Sequence, residues 1–169
     1  MADIMWATPQ GERRLLASSP RAAAFVAAIY SFDSVAAVPF RVSPDKRGLM
    51  VEADEVHLEL WAGRGWRLPM IRPAWFTRFV EGPLAWWLLG VRTFGTSPAG
   101  VREWYRALSY RPLVAGRAAL SGRDLGSLGP IIPPVGFGFS EPPRRASMVG
   151  VRPLLHDPAG CLEPIVRPF

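Results

Sequence analysis

The chain has very little of the residue types on which many functional sites depend. A single cysteine, Cys161, excludes an internal disulfide and a zinc site built from several cysteines. The two histidines, His57 and His156, lie far apart in sequence, and Lys46 is the single lysine. We therefore expect no metal and no cofactor, and we interpret Cys161 as a bystander in a terminal loop rather than a nucleophile.

Long apolar runs are also missing. No window reaches the roughly 18 uninterrupted apolar residues that a membrane-spanning helix needs. The N-terminal segment carries Asp3 early and reaches Arg13 and Arg14 too late for a signal peptide. The sequence thus predicts a cytoplasmic protein without a membrane span.

Stretches free of proline and glycine are short. The 18 prolines and 16 glycines are spread along all 169 residues, which excludes long helical bundles. The length and the 49% hydrophobic content fit one domain over 1–169, with extended terminal segments at 1–20 and 153–169. A helix is not expected in the proline-rich tail.

Alternating apolar and polar residues between turn-forming residues indicate several short strands. Strands are predicted at 49–61, 84–93, 101–108, 113–120, 135–140 and 147–155, with turns at 43–48, 97–100 and 121–124. This spacing predicts a mainly β fold, an antiparallel β-barrel, single or double layered, with one or two short helices.

The segment from Ser18 to Val38 is ambiguous. Ser18-Ser19-Pro20 before an alanine-rich run is typical of a helix start. The aromatic and β-branched residues of 25–32 favour a buried strand instead. We predict a strand there, followed by a short helix over 33–38.

The net charge of +6 comes from nineteen scattered arginines and one lysine against fourteen acidic residues. The longest basic tracts are doublets, so nucleic-acid binding is not favoured. A small apolar or acidic molecule, a second copy of the chain and an acidic protein partner all remain compatible with this composition.

Two acidic side chains flank a histidine in the predicted strand 49–61. Glu55, His57 and Glu59 alternate with Val56 and Leu58, so the three polar residues would share one face about 6–7 Å apart. Inside a barrel such a row performs proton transfer, and we predict these three residues as catalytic. The alternative is a solvated outer face.

A second alternation mixes arginine with an aromatic ring. Arg102, Trp104 and Arg106 share one face, which suits a carboxylate attached to a hydrophobic body. The alternative is an edge strand with stacked arginine and tryptophan side chains. We predict these three residues as substrate-binding.

Gly136 and Gly138 leave one face of the predicted strand 135–140 without side chains. Such a face lets a ligand approach the backbone, so both glycines are predicted as substrate-binding. The alternative, left equally open by the sequence, is that a bulky neighbour such as Trp86 or Trp87 packs over the two glycines.

Three parts of the chain resemble the acetoacetate-decarboxylase-like superfamily, in particular its YqjF-like branch. They are the run 30–37 with Gly48-Leu49, then Arg92-Thr93-Phe94 with Gly100-Val101 and Trp104-Tyr105, and finally Tyr110-Arg111-Pro112. The resemblance implies a double-layered β-barrel that encloses a small-molecule cavity. It also implies a Schiff-base lysine in true decarboxylases, but Lys46 lies in a predicted turn, so that reaction is not expected here.

Two functions follow as hypotheses. In the first, an aromatic-lined barrel binds a small apolar or acidic molecule and catalyses a lyase or cyclase step without a cofactor. In the second, a non-catalytic protein docks an arginine- and tryptophan-rich surface on an acidic partner.

Overall fold

The fold was analysed in a computed structural model that describes residues 1–45, 47–68, 79, 82–83, 87, 92–129, 135–138 and 145–166. Strands dominate these residues and two helices accompany them, which confirms the predicted mainly β class. The elements are β1 (Asp3–Ala7), β2 (Arg13–Ala17), α1 (Pro20–Ile29), β3 (Ser34–Ala37), β4 (Phe40–Pro44), β5 (Gly48–Ala53), β6 (Val56–Ala62), β7 (Trp66–Arg67), β8 (Phe94–Thr96), β9 (Arg102–Leu120), β10 (Arg123–Asp124), β11 (Ser147–His156) and α2 (Glu163–Val166).

The strands form a small sheet and a large one. The small sheet has the order β1-β2-β3, with β1 antiparallel to β2 and β3 parallel to it. The large sheet has the order β10-β9-β6-β5-β4, is antiparallel, and adds β7, β8 and β11 along β9. It curls into a half-barrel.

Helix α1 corrects the prediction of a strand over 25–32. Ser19 caps it by accepting the backbone N–H of Ala22 at 3.1 Å, and Pro20 occupies the first turn. Its buried residues Ala22, Ala23, Val26 and Ile29 follow a helical rather than an alternating period. The helix is the crossover that two parallel strands, β2 and β3, require.

Strand β3 corrects the predicted helix over 33–38. The Asp33 carboxylate accepts the backbone N–H of Arg13 at 2.8 Å and pairs with its guanidinium at 3.3 Å. This contact aligns the following residues beside β2, so they pair with that strand instead of coiling.

The predicted strand 49–61 is two strands. β5 and β6 form a hairpin whose two-residue turn is Asp54-Glu55, with Asp54 at φ 51°. The buried positions change phase at the turn, from Val51 and Ala53 in β5 to Val56 in β6, and the sequence analysis did not use this change.

Strand β9 joins two segments that the sequence predicted as separate strands, 101–108 and 113–120. It runs for 19 residues through Pro112. Its pairing with β11 skips Leu108, and its pairing with β6 skips Val114. Each extra residue is a β-bulge, and bulges bend a strand.

The remaining sequence predictions had mixed outcomes. The chain reverses direction where turns were predicted at 43–48, 97–100 and 121–124, although β4 includes Ser43 and Pro44 and β10 includes Arg123 and Asp124. Strand β11 confirms the strand predicted at 147–155. Within the predicted strand 135–140, the described residues 135–138 form a loop, which corrects that prediction. Most of the predicted strand 84–93, together with Lys46, lies outside the described residues. The tail contains helix α2, contrary to expectation; its proline, Pro164, lies in the first turn, where a missing N–H costs little.

The core lies where the small sheet and α1 meet the large sheet. Leu16 of β2 packs against Ala53 and Val56, and Ile29 packs with Val101 and Leu162. None of the described helices is long and apolar enough to cross a membrane.

Val56→Asp should lower the free energy of unfolding by several kcal/mol. Val56 is 7% exposed and packs on Leu16, so the variant buries an unpaired charge. The neighbouring variant His57→Ala, on the opposite face, should cost less than about 1 kcal/mol. Urea unfolding measures both, and equal losses would show that the two faces are wrongly assigned.

Candidate functional site

The structure separates one of the three predicted catalytic residues, Glu55, from the other two, His57 and Glu59. Glu55 lies in the β5–β6 turn, is exposed, and its carboxylate accepts the Ser121 hydroxyl. His57 and Glu59 lie on β6, with His57 Nε2 3.3 Å from Glu59 Oε1. The second acidic neighbour of His57 is Glu52, its cross-strand partner, 3.7 Å from Nδ1.

This polar row lies on the face of the sheet that points away from the core. The side chains of His57 and Glu59 are 40% and 29% exposed, whereas Val56 and Ala53 are buried on the other face. The placement agrees with the alternative of a solvated face, and the catalytic role of Glu55, His57 and Glu59 stays a prediction.

The alternation at the start of β9 is present as predicted. Glu103 is buried, while Arg102 is exposed and Trp104 and Arg106 are half-buried. The Trp104 ring lies 5.2 Å from that of Phe94 on the neighbouring strand β8. The substrate-binding role of Arg102, Trp104 and Arg106 also stays a prediction.

Gly138 packs on a tyrosine. A Cβ there would lie 2.6 Å from Cδ1 of Tyr30, so any side chain would displace the ring. The Phe137 carbonyl accepts the N–H of Ser31 at 2.9 Å, which fixes the loop beside the end of α1. A Cβ on Gly136 would lie 3.9 Å from the Gly138 carbonyl oxygen, which is an ordinary van der Waals contact. A bulky neighbour therefore explains Gly138, and that neighbour is Tyr30 rather than a tryptophan.

A buried polar cluster joins α1 to β9, and the sequence analysis did not find it. The hydroxyls of Tyr30 and Tyr105 each donate to Oε2 of Glu103 at 2.8 Å and contact each other. Glu103 is 1% exposed, and its Oε1 has no hydrogen-bond partner among the described residues. Because 73 residues separate Tyr30 from Glu103, no local pattern could reveal their contact.

Burial controls the ionisation of this cluster. It raises the pKa of Glu103, although the two tyrosine hydrogen bonds act in the opposite direction. Burial also raises the pKa of both tyrosines, and the nearby Glu103 carboxylate adds to this effect. Burial therefore shifts all three groups toward their neutral forms in the cluster that joins the end of α1 to β9.

One concave site that the described residues form is a groove rich in arginine. It has a volume of about 820 Å³ and lies at the bend of β9. We call it the arginine groove; its charged residues are Arg47, Arg64, Arg67 and Arg111. Arg111 is fixed, because its guanidinium donates to the carbonyls of Gly63 and Ala62 at 3.1 and 3.2 Å.

An aromatic ring and bare backbone complete the arginine groove. Trp66 is 49% exposed and its ring stacks on Tyr110 at 5.4 Å. A Cβ on Gly65 would lie 1.9 Å from the Tyr110 carbonyl oxygen, so only glycine lets this loop lie so close to β9. The alternation of Arg64, Trp66 and Arg67 with glycines was the signal that could have pointed to this groove.

No group of three or more metal-ligating side chains meets within the described part of the chain. Comparison with protein-family models, curated proteins and solved structures returned no match. The functional argument therefore rests on the residues of this chain.

Glu103→Gln should change how stability depends on pH. Because the folded-state pKa of Glu103 lies above its ordinary value of 4.5, its contribution to stability is complete below that pH and is lost as the pH rises through the folded-state value. The wild type should therefore lose stability relative to Glu103→Gln above about pH 4.5. Denaturant unfolding over this range, with the surface variant Glu12→Gln as control, measures the effect. Parallel pH profiles for wild type and Glu103→Gln would contradict it.

Proposed function

We propose that this protein binds an acidic small molecule with an aromatic or apolar body in the arginine groove. The observation that carries the proposal is the charge of the groove. Arg47, Arg64 and Arg67 line it, and none of them pairs with a carboxylate among the described residues. Several unpaired guanidinium groups around one concave surface repel each other until an anion neutralises them.

The chemistry of arginine defines the charged end of the ligand. A guanidinium group binds a carboxylate or a phosphate through two parallel hydrogen bonds. Arg111 is already engaged with carbonyls, so Arg47, Arg64 and Arg67 supply the free donors. The volume lies within the range of about 300–1,000 Å³ typical of small-molecule sites.

Trp66 defines the other end of the ligand. One face of its ring stacks on Tyr110, and the half-exposed indole lines the groove beside the arginines. A planar or apolar group would pack on this indole while its acidic group reaches the guanidinium groups.

Three further hypotheses remain proposals. A lyase or cyclase step would require acid–base groups at the ligand, and the described lining of the groove contains no carboxylate, histidine, cysteine or lysine. The relationship to the acetoacetate-decarboxylase-like superfamily rests on the sequence resemblance and stays a proposal. The alternative function, docking on an acidic protein, would use the same arginines and the exposed Trp66.

Calorimetric titration with phenyl phosphate tests the proposal. The wild type should bind it, while the neutral analogue benzyl alcohol should not bind. Arg64→Gln combined with Arg67→Gln should weaken the affinity about tenfold or more, because each change removes charge-assisted hydrogen bonds. Arg123→Gln, an exposed arginine on β10 outside the groove, is the matched control.

The outcomes separate the alternatives. Equal affinity in the wild type and the double variant would contradict the proposal. Binding of a polyglutamate peptide, lost in the double variant, without binding of phenyl phosphate would instead support docking on an acidic protein.

A further inference from the structure

Two arginines lie directly opposite each other on neighbouring strands. Arg106 of β9 pairs in register with Arg152 of β11. Directly opposed residues of an antiparallel pair point to the same face, with Cβ atoms about 5 Å apart, and like charges there are destabilising. We call these two residues the arginine pair.

Nothing that the structure describes neutralises the arginine pair. Neither guanidinium forms an ion pair with a described carboxylate. In addition, Nε of Arg106 is buried and has no hydrogen-bond acceptor within the described residues. A buried charged donor without an acceptor costs more than an ordinary hydrogen bond contributes. An acceptor placed between the two side chains would remove both the repulsion between the two charges and the cost of the unpaired Arg106 Nε.

The surroundings of the arginine pair add positive and apolar groups. Two residues along each strand on the same face, Trp104 pairs with Leu154. Two residues further along, Arg102 pairs with His156. The face thus carries cations at both ends of a short apolar strip. None of these residues lines the arginine groove.

We infer that the arginine pair binds a compact oxyanion, a carboxylate or a phosphate group, between Arg106 and Arg152. The site is distinct from the arginine groove and goes beyond the function proposed for it. The anion accepts the N–H of Arg106 Nε and bridges the two guanidinium groups. It extends the substrate-binding prediction for Arg102, Trp104 and Arg106 by the cross-strand residue Arg152.

Charge reversal at the exposed member of the pair tests this site. The background is the variant Arg64→Gln with Arg67→Gln, in which anion binding by the groove is weakened. Inorganic phosphate should raise the Tm of this background by about 3 °C or more over sodium chloride at equal ionic strength. Malonate, tested separately, shows whether carboxylates are accepted as well.

Adding Arg152→Glu should place a carboxylate opposite Arg106 and so replace the anion. In chloride, the Tm of this variant should equal or exceed that of the background. Phosphate and malonate should no longer raise its Tm. Arg152→Gln should also lose the shifts, and it keeps the test valid if the charge reversal impairs folding. Adding Arg123→Gln instead should leave the shifts unchanged.

Three results would overturn the inference. In the first, neither phosphate nor malonate raises the Tm of the background variant above its value in chloride. In the second, the anions raise the Tm equally with and without Arg152→Glu. In the third, both Arg152→Glu and Arg152→Gln lower the Tm in chloride.

Discussion

Backbone pairing along β9 holds the large sheet together, because β6, β7, β8, β10 and β11 all bond to this one strand. At 19 residues it would span about 60 Å if it were straight. The bulges at Leu108 and Val114 bend it instead, and the large sheet curls with it. The arginine groove lies between these bulges, lined by Ser109, Arg111 and Val114. The pairing irregularities of β9 thus position the candidate binding site, as bulges often do.

Val101 and the first residues of β9 connect helix α1 to the large sheet. Val101 packs with Ile29 of α1, and Glu103 and Tyr105 contact Tyr30 directly after that helix. A buried carboxyl group with two hydroxyl donors fixes one geometry more strictly than apolar packing alone, because each polar group loses free energy when its partner moves. The same strand that anchors α1 on one face carries the arginine pair on the other.

The sequence analysis could find those features of the fold that depend on residues close together in the chain. Alternation correctly assigned Val56 and His57 to opposite faces, and Ser18-Ser19-Pro20 contained the signal for α1 that the aromatic residues at 25–32 outweighed. The turn at Asp54-Glu55 was missed because the sequence analysis did not use the change of phase from buried Val51 and Ala53 to buried Val56. The glycine-rich sequence around Arg64 and Trp66 marked one segment of the groove, but the whole groove could not be predicted, since Arg47, Arg64 and Arg111 come from three segments that meet at the bend of β9.

Unpaired arginine charge is the feature from which both proposed sites follow, and it can be observed directly. Nuclear magnetic resonance of the arginine Nε–Hε groups during titration with phenyl phosphate reports on each guanidinium separately. The account predicts saturable shifts confined to Arg47, Arg64 and Arg67 in the groove and to Arg106 and Arg152 in the arginine pair. Small shifts of all arginine signals that grow linearly with ligand concentration would contradict it, because they would mean screening without a site.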